Sequence, residues 1–313
     1  MVGSTRLQGP QPLRVCFVRL HLEKIERSDG LQKKASRIMS RAASKKESKN
    51  ESKKESMKAT VSTITFGDVA ENHARMQKIG TLHDKGYSVE QLLALGETLG
   101  SLGLTTEYVS LDAHWTGEDE VPAAGILVIR KGVQHILGTA DTKDLQDEHK
   151  DLEVDKMALM RGRVVNKRAR WNLCFDEEDQ EPNYEEGMGR IVSYRRLPLT
   201  QRIRETIAKW TEDELLKGEA NYYYDLSKCG IGYHGDGERR KVFAFRMGAS
   251  EQMPLYYQWY QRSAPVGDRI QVVLEDGDMY VMSEKAVGFD WLKKVIPTLR
   301  HASGTDQFTV IKK

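Results

Sequence analysis

The stretch CGIGYHGDGERR, Cys229 to Arg240, admits two incompatible readings, and the fold depends on which is right. Gly230, Gly232 and Gly235 spell the G-x-G-x-x-G of a dinucleotide-binding turn, while His234 and Asp236 spell H-x-D, half of a metal site. The first reading needs a helix after the glycines, because a helix N-terminus holds the pyrophosphate. The chain instead continues into VFAFRMG, Val242–Gly248, an apolar and aromatic run that predicts a strand, so the phosphate cradle fails. The second reading needs His234 and Asp236 on one side of extended backbone, which residues i and i+2 provide. It also needs a third ligand. Of eight histidines only His301 lies downstream, in TLRHASG, and two His with one carboxylate form the facial triad of non-haem Fe(II) sites.

Around this motif, 313 residues suffice for one large or two small domains. The net charge of +2 conceals an asymmetry: residues 1–60 carry 15 Lys+Arg against 6 Asp+Glu, and the remainder 33 against 40. The Lys/Ser/Glu-rich run over roughly 30–60 predicts a disordered basic tail, since it holds too little apolar surface to offset its ordering entropy. Such a tail suits an anionic partner, nuclear import or, with the preceding PLRVCFVRLHLEKI, an organelle transit segment. No apolar run reaches the ~18–20 residues of a membrane span, so no membrane association is expected. Cys16, Cys174 and Cys229 are widely spaced and suggest neither a disulfide framework nor a zinc ribbon. The reducing interior of a cell, nucleus or cytoplasm, is the expected location.

Ordered chain is expected from about Val61. Ser88 caps a predicted helix over SVEQLLALGETLGSLGL, TEYVSL and AGILVIRKG read as strands, and TKDLQDEHKDLEVDKMALM reads as a charged amphipathic helix. RGRVVNKRARWNLCF predicts a strand or hairpin arm with one basic face, and PLTQRIRETIAKWTEDELL another helix. From Asn221 onward, short aromatic and β-branched runs, DQFTVIKK among them, predict an antiparallel barrel or sandwich. The expected organisation is a tail (1–60), an N-terminal α/β extension and substrate-recognition region (61–200) and a β-rich core (201–313).

NYYYD, GIGYHGD, VFAFRMG, RIQVVLEDGDMYVMSE, Trp291 and TLRHASG occur in that order. Over these C-terminal 80–90 residues the chain resembles the AlkB-like branch of Fe(II)/2-oxoglutarate-dependent oxygenases. The resemblance implies an α+β fold built on a double-stranded β-helix (jelly-roll) barrel with flanking helices. It implies Fe(II) held by His234, Asp236 and His301, with 2-oxoglutarate as cosubstrate and dioxygen as oxidant. Asn221 and Tyr223 match the family's N-x-Y, and two extra residues before the metal His leave Tyr222 and Tyr224 as substitutes. The family's two arginines beyond the distal His are absent here, leaving Lys312, Arg246 and Arg300 as rival cations for the cosubstrate carboxylate.

By the same resemblance the activity is oxidation of a C–H or N-methyl group. Arg163, Lys167, Arg168, Arg170 and Trp171, with Arg161 nearby, interleave cations with an aromatic ring, as a nucleic-acid backbone and a flipped base require. A nucleic-acid base is therefore the expected target. A protein side chain, or a binding module without catalysis, are the alternatives.

Overall fold

VFAFRMG is apolar on both alternating faces, and such a strand belongs in a sheet covered on both sides. The computed structural model describes residues 60–311 and accounts for the pattern with three layers. In chain order its first elements are β1 (Val61–Gly67), the hairpin β2–β3 (Val69–Glu71, Lys78–Gly80), helix α1 (Val89–Ser101), β4 (Thr105–Ser110) and β5 (Gly125–Arg130). Helices α2 (Gly132–Leu137) and α3 (Lys143–Lys150) come next, then the hairpin β6–β7 (Met157–Met160, Arg163–Asn166), β8 (Trp171–Asp176), β9 (Ile191–Ser193) and helix α4 (Pro198–Thr211). The remaining strands are β10 (Lys217–Tyr223), β11 (Gly230–His234), β12 (Val242–Gly248), β13 (Leu255–Gln261), β14 (Ala264–Val272), β15 (Met279–Met282) and β16 (Thr298–Gly304), with short helices α5 (Glu284–Val287) and α6 (Asp306–Thr309).

One sheet has eight strands in the order β4-β5-β15-β12-β1-β10-β8-β9, and a second has four, β11-β16-β13-β14. Phe243, Phe245 and Met247 of β12 pack with Leu92, Leu95 and Leu99 of α1 and Ile203 and Ile207 of α4. Val242 and Ala244 point the other way, into a core shared with Leu255, Tyr257, Trp259 and Leu299 of the four-stranded sheet. Each such aromatic or aliphatic side chain contributes about 1.5–3 kcal/mol by leaving water, so this strand is the hinge of both cores. Arg246 shares the inner parity of Val242 and Ala244, and it is buried there. No strand pairing joins the two sheets among the described residues, so the fold is α+β and predominantly sheet, without a closed barrel.

The expected helices at Ser88 and Pro198 form. Ser88 makes a capping box with Gln91, its Oγ accepting from the Gln91 amide at 3.2 Å while Gln91 Oε1 accepts from the Ser88 amide at 2.8 Å. The helix expected over 142–160 stops at Lys150. Beyond it the fully buried Asp155 accepts hydrogen bonds from Asn72 Nδ2 (2.6 Å), the Tyr184 hydroxyl (2.6 Å) and the Arg190 amide (2.7 Å). Those bonds satisfy a buried carboxylate, and the next residues continue as β6. DQFT, expected as a strand, is a helical turn that sets Phe308 against Gly230, where a Cβ would lie 2.5 Å from the ring. The expected boundary at residue 200 runs through one sheet, because β1 and β5 precede it while β12 and β15 lie after it. The expected tail, save residue 60, and Lys312 lie outside the described residues. No described helix is long and apolar enough to cross a membrane.

Between the eight-stranded sheet and α4 sits a buried imidazole. His149 pairs with the Tyr222 hydroxyl through Nδ1 (2.8 Å) and with Thr200 Oγ1 through Nε2 (2.8 Å), and burial pushes its pKa down to about 4. Its unfolded value lies near 6.5, so the unfolded chain binds the extra proton first, and stability is lost as pH falls from 6.5 through 4. The expected loss is roughly 3 kcal/mol. Urea midpoints at pH 7 and pH 4.5 should show it, and His149→Gln should flatten that part of the profile.

Candidate metal centre

β11 and β16 are antiparallel neighbours in which His234 lies directly opposite His301. A register irregularity between Ile231 and His234 lets the strand end turn. The turn carries Asp236 back toward both rings, its amide donating to the Val287 carbonyl at 2.9 Å. Gly235 permits this approach: a Cβ there would meet the Gly288 carbonyl oxygen at 2.1 Å. Gly288 itself lies at φ +75°, a left-handed conformation suited to glycine. Of the glycines that resemble a nucleotide fingerprint, Gly230 and Gly235 thus serve close packing, and the chain after Gly235 leads to β12 rather than a helix.

One ligand atom from each of His234, Asp236 and His301 lies within 4.8 Å of the others. Asp236 Oδ1 is 3.5 Å from Nε2 of each histidine, and the imidazole centroids are 4.4 Å apart. His234 Nδ1 faces the carbonyls of Gly232 (2.8 Å) and His301 (3.0 Å), so the proton resides on Nδ1 and Nε2 keeps its lone pair. Burial opposes ionisation of Asp236, yet His301, His234 and Arg239 hold its carboxyl well below the usual range. Burial and the neighbouring His234 push the His301 pKa down. An ionised Asp236 carboxylate beside a His301 imidazole whose protonation is disfavoured suits a divalent metal, and the N₂O donor set fits a transition metal such as iron.

The cluster opens into a cavity of about 730 Å³ between the sheets. Asn221, Tyr223, Arg246 and Arg170 line it, together with Thr63, Tyr280 and Ser303. Strand alternation decides among the tyrosines: Tyr222 turns to His149, and Tyr224 stacks on Trp171 with centroids 4.1 Å apart, so Tyr223 alone of the three faces the cavity. Asn221 Oδ1 accepts from Arg170 Nε at 2.5 Å and from Asn172 Nδ2 at 2.9 Å. Register likewise separates Arg246, which lines the cavity, from Arg300. Arg300 lies over the rings of Tyr260 (4.1 Å) and Trp291 (5.5 Å), outside the cavity lining. Arg246 is 2% exposed, donates to Ser303 Oγ (3.0 Å) and the Met253 carbonyl, and has no carboxylate within ion-pair distance among the described residues. A second cavity of about 890 Å³, lined by Tyr87, Arg240 and Lys241, holds no metal-ligating cluster among the described residues. There Arg240 pairs with Glu284 and Lys241 with Asp213.

The expected substrate residues are divided. Arg170 reaches the cavity. Lys167 is turned inward, its Nζ donating to Asn72 Oδ1 (2.6 Å) and Asn172 Oδ1 (2.9 Å), and burial pushes its pKa down to about 8. Arg163 is exposed on the β6–β7 hairpin, as is Arg161 in its turn. Arg168 is exposed, and its carbonyl accepts from the Tyr224 hydroxyl at 2.7 Å. Trp171 is sandwiched between Tyr224 and Lys156, the latter 4.5 Å from the ring centroid.

An acidic group unforeseen from the sequence lines the same cavity. Arg239 binds Glu219 and Glu238 (2.8 Å to the latter) and lies 3.8 Å from Asp236. Glu219 in turn accepts from the Glu71 amide at 3.3 Å. Burial, then the charge of Glu238, raise the Glu71 pKa to about 7. Glu238 and Arg239 flank the motif, and their nearness to it is a sequence signal. Glu71 precedes it by more than 160 residues, and only the tertiary packing of the β2–β3 hairpin brings it near.

This geometry defines an α+β protein with a His-Asp-His cluster in a cavity between two sheets. No known family profile matches the chain. It is 47% identical over 250 residues to an uncharacterized protein of Acanthamoeba polyphaga mimivirus, an alignment covering 79% of this chain and 96% of the viral protein. The chain belongs to the same family as that viral protein.

Proposed function

We propose that the protein is an Fe(II)/2-oxoglutarate-dependent dioxygenase of AlkB-like type, its two facing sheets a double-stranded β-helix, oxidising a C–H or N-methyl group on a nucleic-acid base. The observation that carries this reading is a pairing. The His-Asp-His cluster shares one cavity with Arg246, a buried guanidinium lacking a carboxylate partner among the described residues. A buried cation is costly unless an anion reaches it, and a dicarboxylate cosubstrate supplies one.

His234, Asp236 and His301 would hold the iron, leaving coordination positions open on the cavity side. When bound, Fe(II) supplies the activation of dioxygen coupled to oxidative decarboxylation of the cosubstrate. The chain's own part is positional. Arg246 receives the far carboxylate, with Ser303 and the Met253 carbonyl holding its plane. Tyr223, Tyr280 and Asn221 wall the cosubstrate's space. The Nδ1 bonds of His234 fix the direction of its Nε2. Exposed Arg75 and Lys78, with Arg170, line the same cavity, which favours a phosphate-bearing substrate.

The test is anaerobic addition of Fe(II) and 2-oxoglutarate, followed by air. Succinate should form in proportion to protein, and methylated oligonucleotides should stimulate it more than methylated peptides. Absence of both metal binding and succinate, with wild type and His234→Ala alike, would reject the enzyme.

A further inference from the structure

The four-stranded sheet has two faces, and the metal centre uses only the inner one. On β13, Leu255, Tyr257 and Trp259 turn into the core shared with the larger sheet. Alternation therefore sends Tyr256, Gln258 and Tyr260 to the outer face. On β16 His301 faces the cavity, and Arg300 takes the outer side with Tyr260. Tyr233, which precedes His234 on β11, joins them there, its ring centroid 6.1 Å from that of Tyr260.

Guanidiniums lie across these rings in a repeated arrangement. Arg300 stands opposite Gln258 and reaches diagonally over Tyr260, 4.1 Å from the ring centroid. Arg269 is two residues from Gln271, the cross-strand partner of Tyr256, and lies 4.3 Å from the Tyr256 centroid. Neither guanidinium has a carboxylate within ion-pair distance among the described residues. Arg300 Nε is buried without a hydrogen-bond partner, and Arg269 donates to the Thr309 carbonyl at 3.3 Å. Arg269 is exposed, and Tyr256, Tyr233 and Arg300 are half-buried. At the β13–β14 turn the amide of exposed Arg262 donates to the carbonyl of exposed Lys294 at 3.0 Å, adding two more cations without an ion pair among the described residues. Trp291 lies under Arg300, 5.5 Å away, and also lines the metal cavity.

We infer that this outer face is a second binding surface, for single-stranded nucleic acid, separate from the metal cavity. Bases stack on the Arg–Tyr pairs, and Arg269, Arg300, Arg262 and Lys294 neutralise the phosphates. A guanidinium held flat on a ring keeps its other face for a base and its edge N–H groups for a phosphate, which one committed to a carboxylate could not do. A duplex, whose bases already stack on one another, offers the pairs only its charge. The surface needs neither metal nor cosubstrate, so it goes beyond the oxygenase reading, and Trp291 joins it to the cavity that reading concerns.

The test is fluorescence anisotropy of the full chain, with chelator present, against a labelled oligothymidine of about 16 nucleotides, the upper end of a single-strand site. Wild type should bind it about tenfold or more tightly than a duplex of equal length. Arg269→Gln and Arg300→Gln should each reduce the slope of log affinity on log salt by about 0.7, the increment of one phosphate contact on a single strand. Arg300→Lys should restore that slope without restoring affinity, because an ammonium keeps the charge and loses the plane. Tyr256→Leu should weaken binding about fivefold or more at an unchanged slope, the loss of one stacked base. Arg269 is exposed, so its variant should melt at the wild-type temperature, which separates lost binding from lost folding. No binding by wild type, equal binding of the duplex, or slopes unchanged in both arginine variants would overturn the inference. Chelator keeps the metal centre out of these titrations, so an absence of succinate formation rejects the oxygenase without touching this surface.

Discussion

Replacing Arg246 with Met is expected to abolish cosubstrate-dependent turnover while leaving metal binding within a few-fold of wild type. Arg246 is the buried guanidinium of the cavity that has no carboxylate within ion-pair distance among the described residues; it is fixed by Ser303 Oγ and the Met253 carbonyl, and it touches none of the His-Asp-His side chains by hydrogen bond or ion pair. A charge-assisted, bidentate contact in a dry site contributes about 3 kcal/mol or more, so the dissociation constant for 2-oxoglutarate should rise by roughly a hundredfold. Arg246→Lys should recover part of this, since an ammonium keeps the charge but loses the fork. Thermal melting provides an independent readout. Saturating 2-oxoglutarate should stabilise wild type by about 3 kcal/mol at a hundred times its dissociation constant, and the Met variant not at all. In the absence of ligand the Met variant should be nearly as stable as wild type, because its substitution removes an uncompensated buried charge along with two hydrogen bonds. If the variant binds 2-oxoglutarate normally, Arg246 is structural and the cosubstrate assignment fails.

Which of Arg246 and Arg300 faces the cavity could not be read from the sequence, and the reason is parity. Arg246 follows the H-x-D motif on β12 and Arg300 precedes His301 on β16, and which face each side chain takes depends on pairing partners far along the chain. Thr63 of β1 opposes Arg246, and nothing near residue 246 announces that neighbour. The H-x-D turn was legible because its chemistry is local: two ligands two residues apart, glycines around them, and a strand instead of a helix beyond. His301 came by elimination, and β11 and β16 do set it opposite His234. The acidic group was hidden for the opposite reason, since Glu71 belongs to a hairpin whose place over β10 is purely tertiary. Propensity also misleads where a buried polar group governs the backbone. Asp155, with three hydrogen bonds, lies beyond the last turn of a sequence that otherwise reads as continuous helix. The basic run 161–171 reads as one face only if strand alternation persists throughout it. The chain instead turns between β7 and β8, sending Lys167 inward and leaving Arg163 outside.

Substituting Asp236 with Ala is expected to remove metal-dependent stabilisation entirely and to lower turnover by roughly a thousandfold, the several kcal/mol that a positioned metal supplies. Wild type, titrated with Co(II) as an oxygen-stable substitute for Fe(II), should gain melting temperature in proportion to the logarithm of free metal. His301→Ala should lose the same gain, since each variant leaves two of three donors. The two differ in their effect on the metal-free protein, and this difference tests the electrostatics around the centre. Asp236 is a counter-charge to Arg239 at 3.8 Å, but Glu219 and Glu238 hold that guanidinium more closely, so Asp236→Ala should remain folded. His301, buried between the sheets beside Tyr257, leaves a void on truncation, and His301→Ala should cost the metal-free protein about 2–4 kcal/mol. Chemical denaturation with chelator present separates that packing cost from the loss of metal. A Co(II)-dependent rise in melting temperature that survives in Asp236→Ala would show that the metal binds elsewhere, and would remove the His-Asp-His cluster from the chemistry.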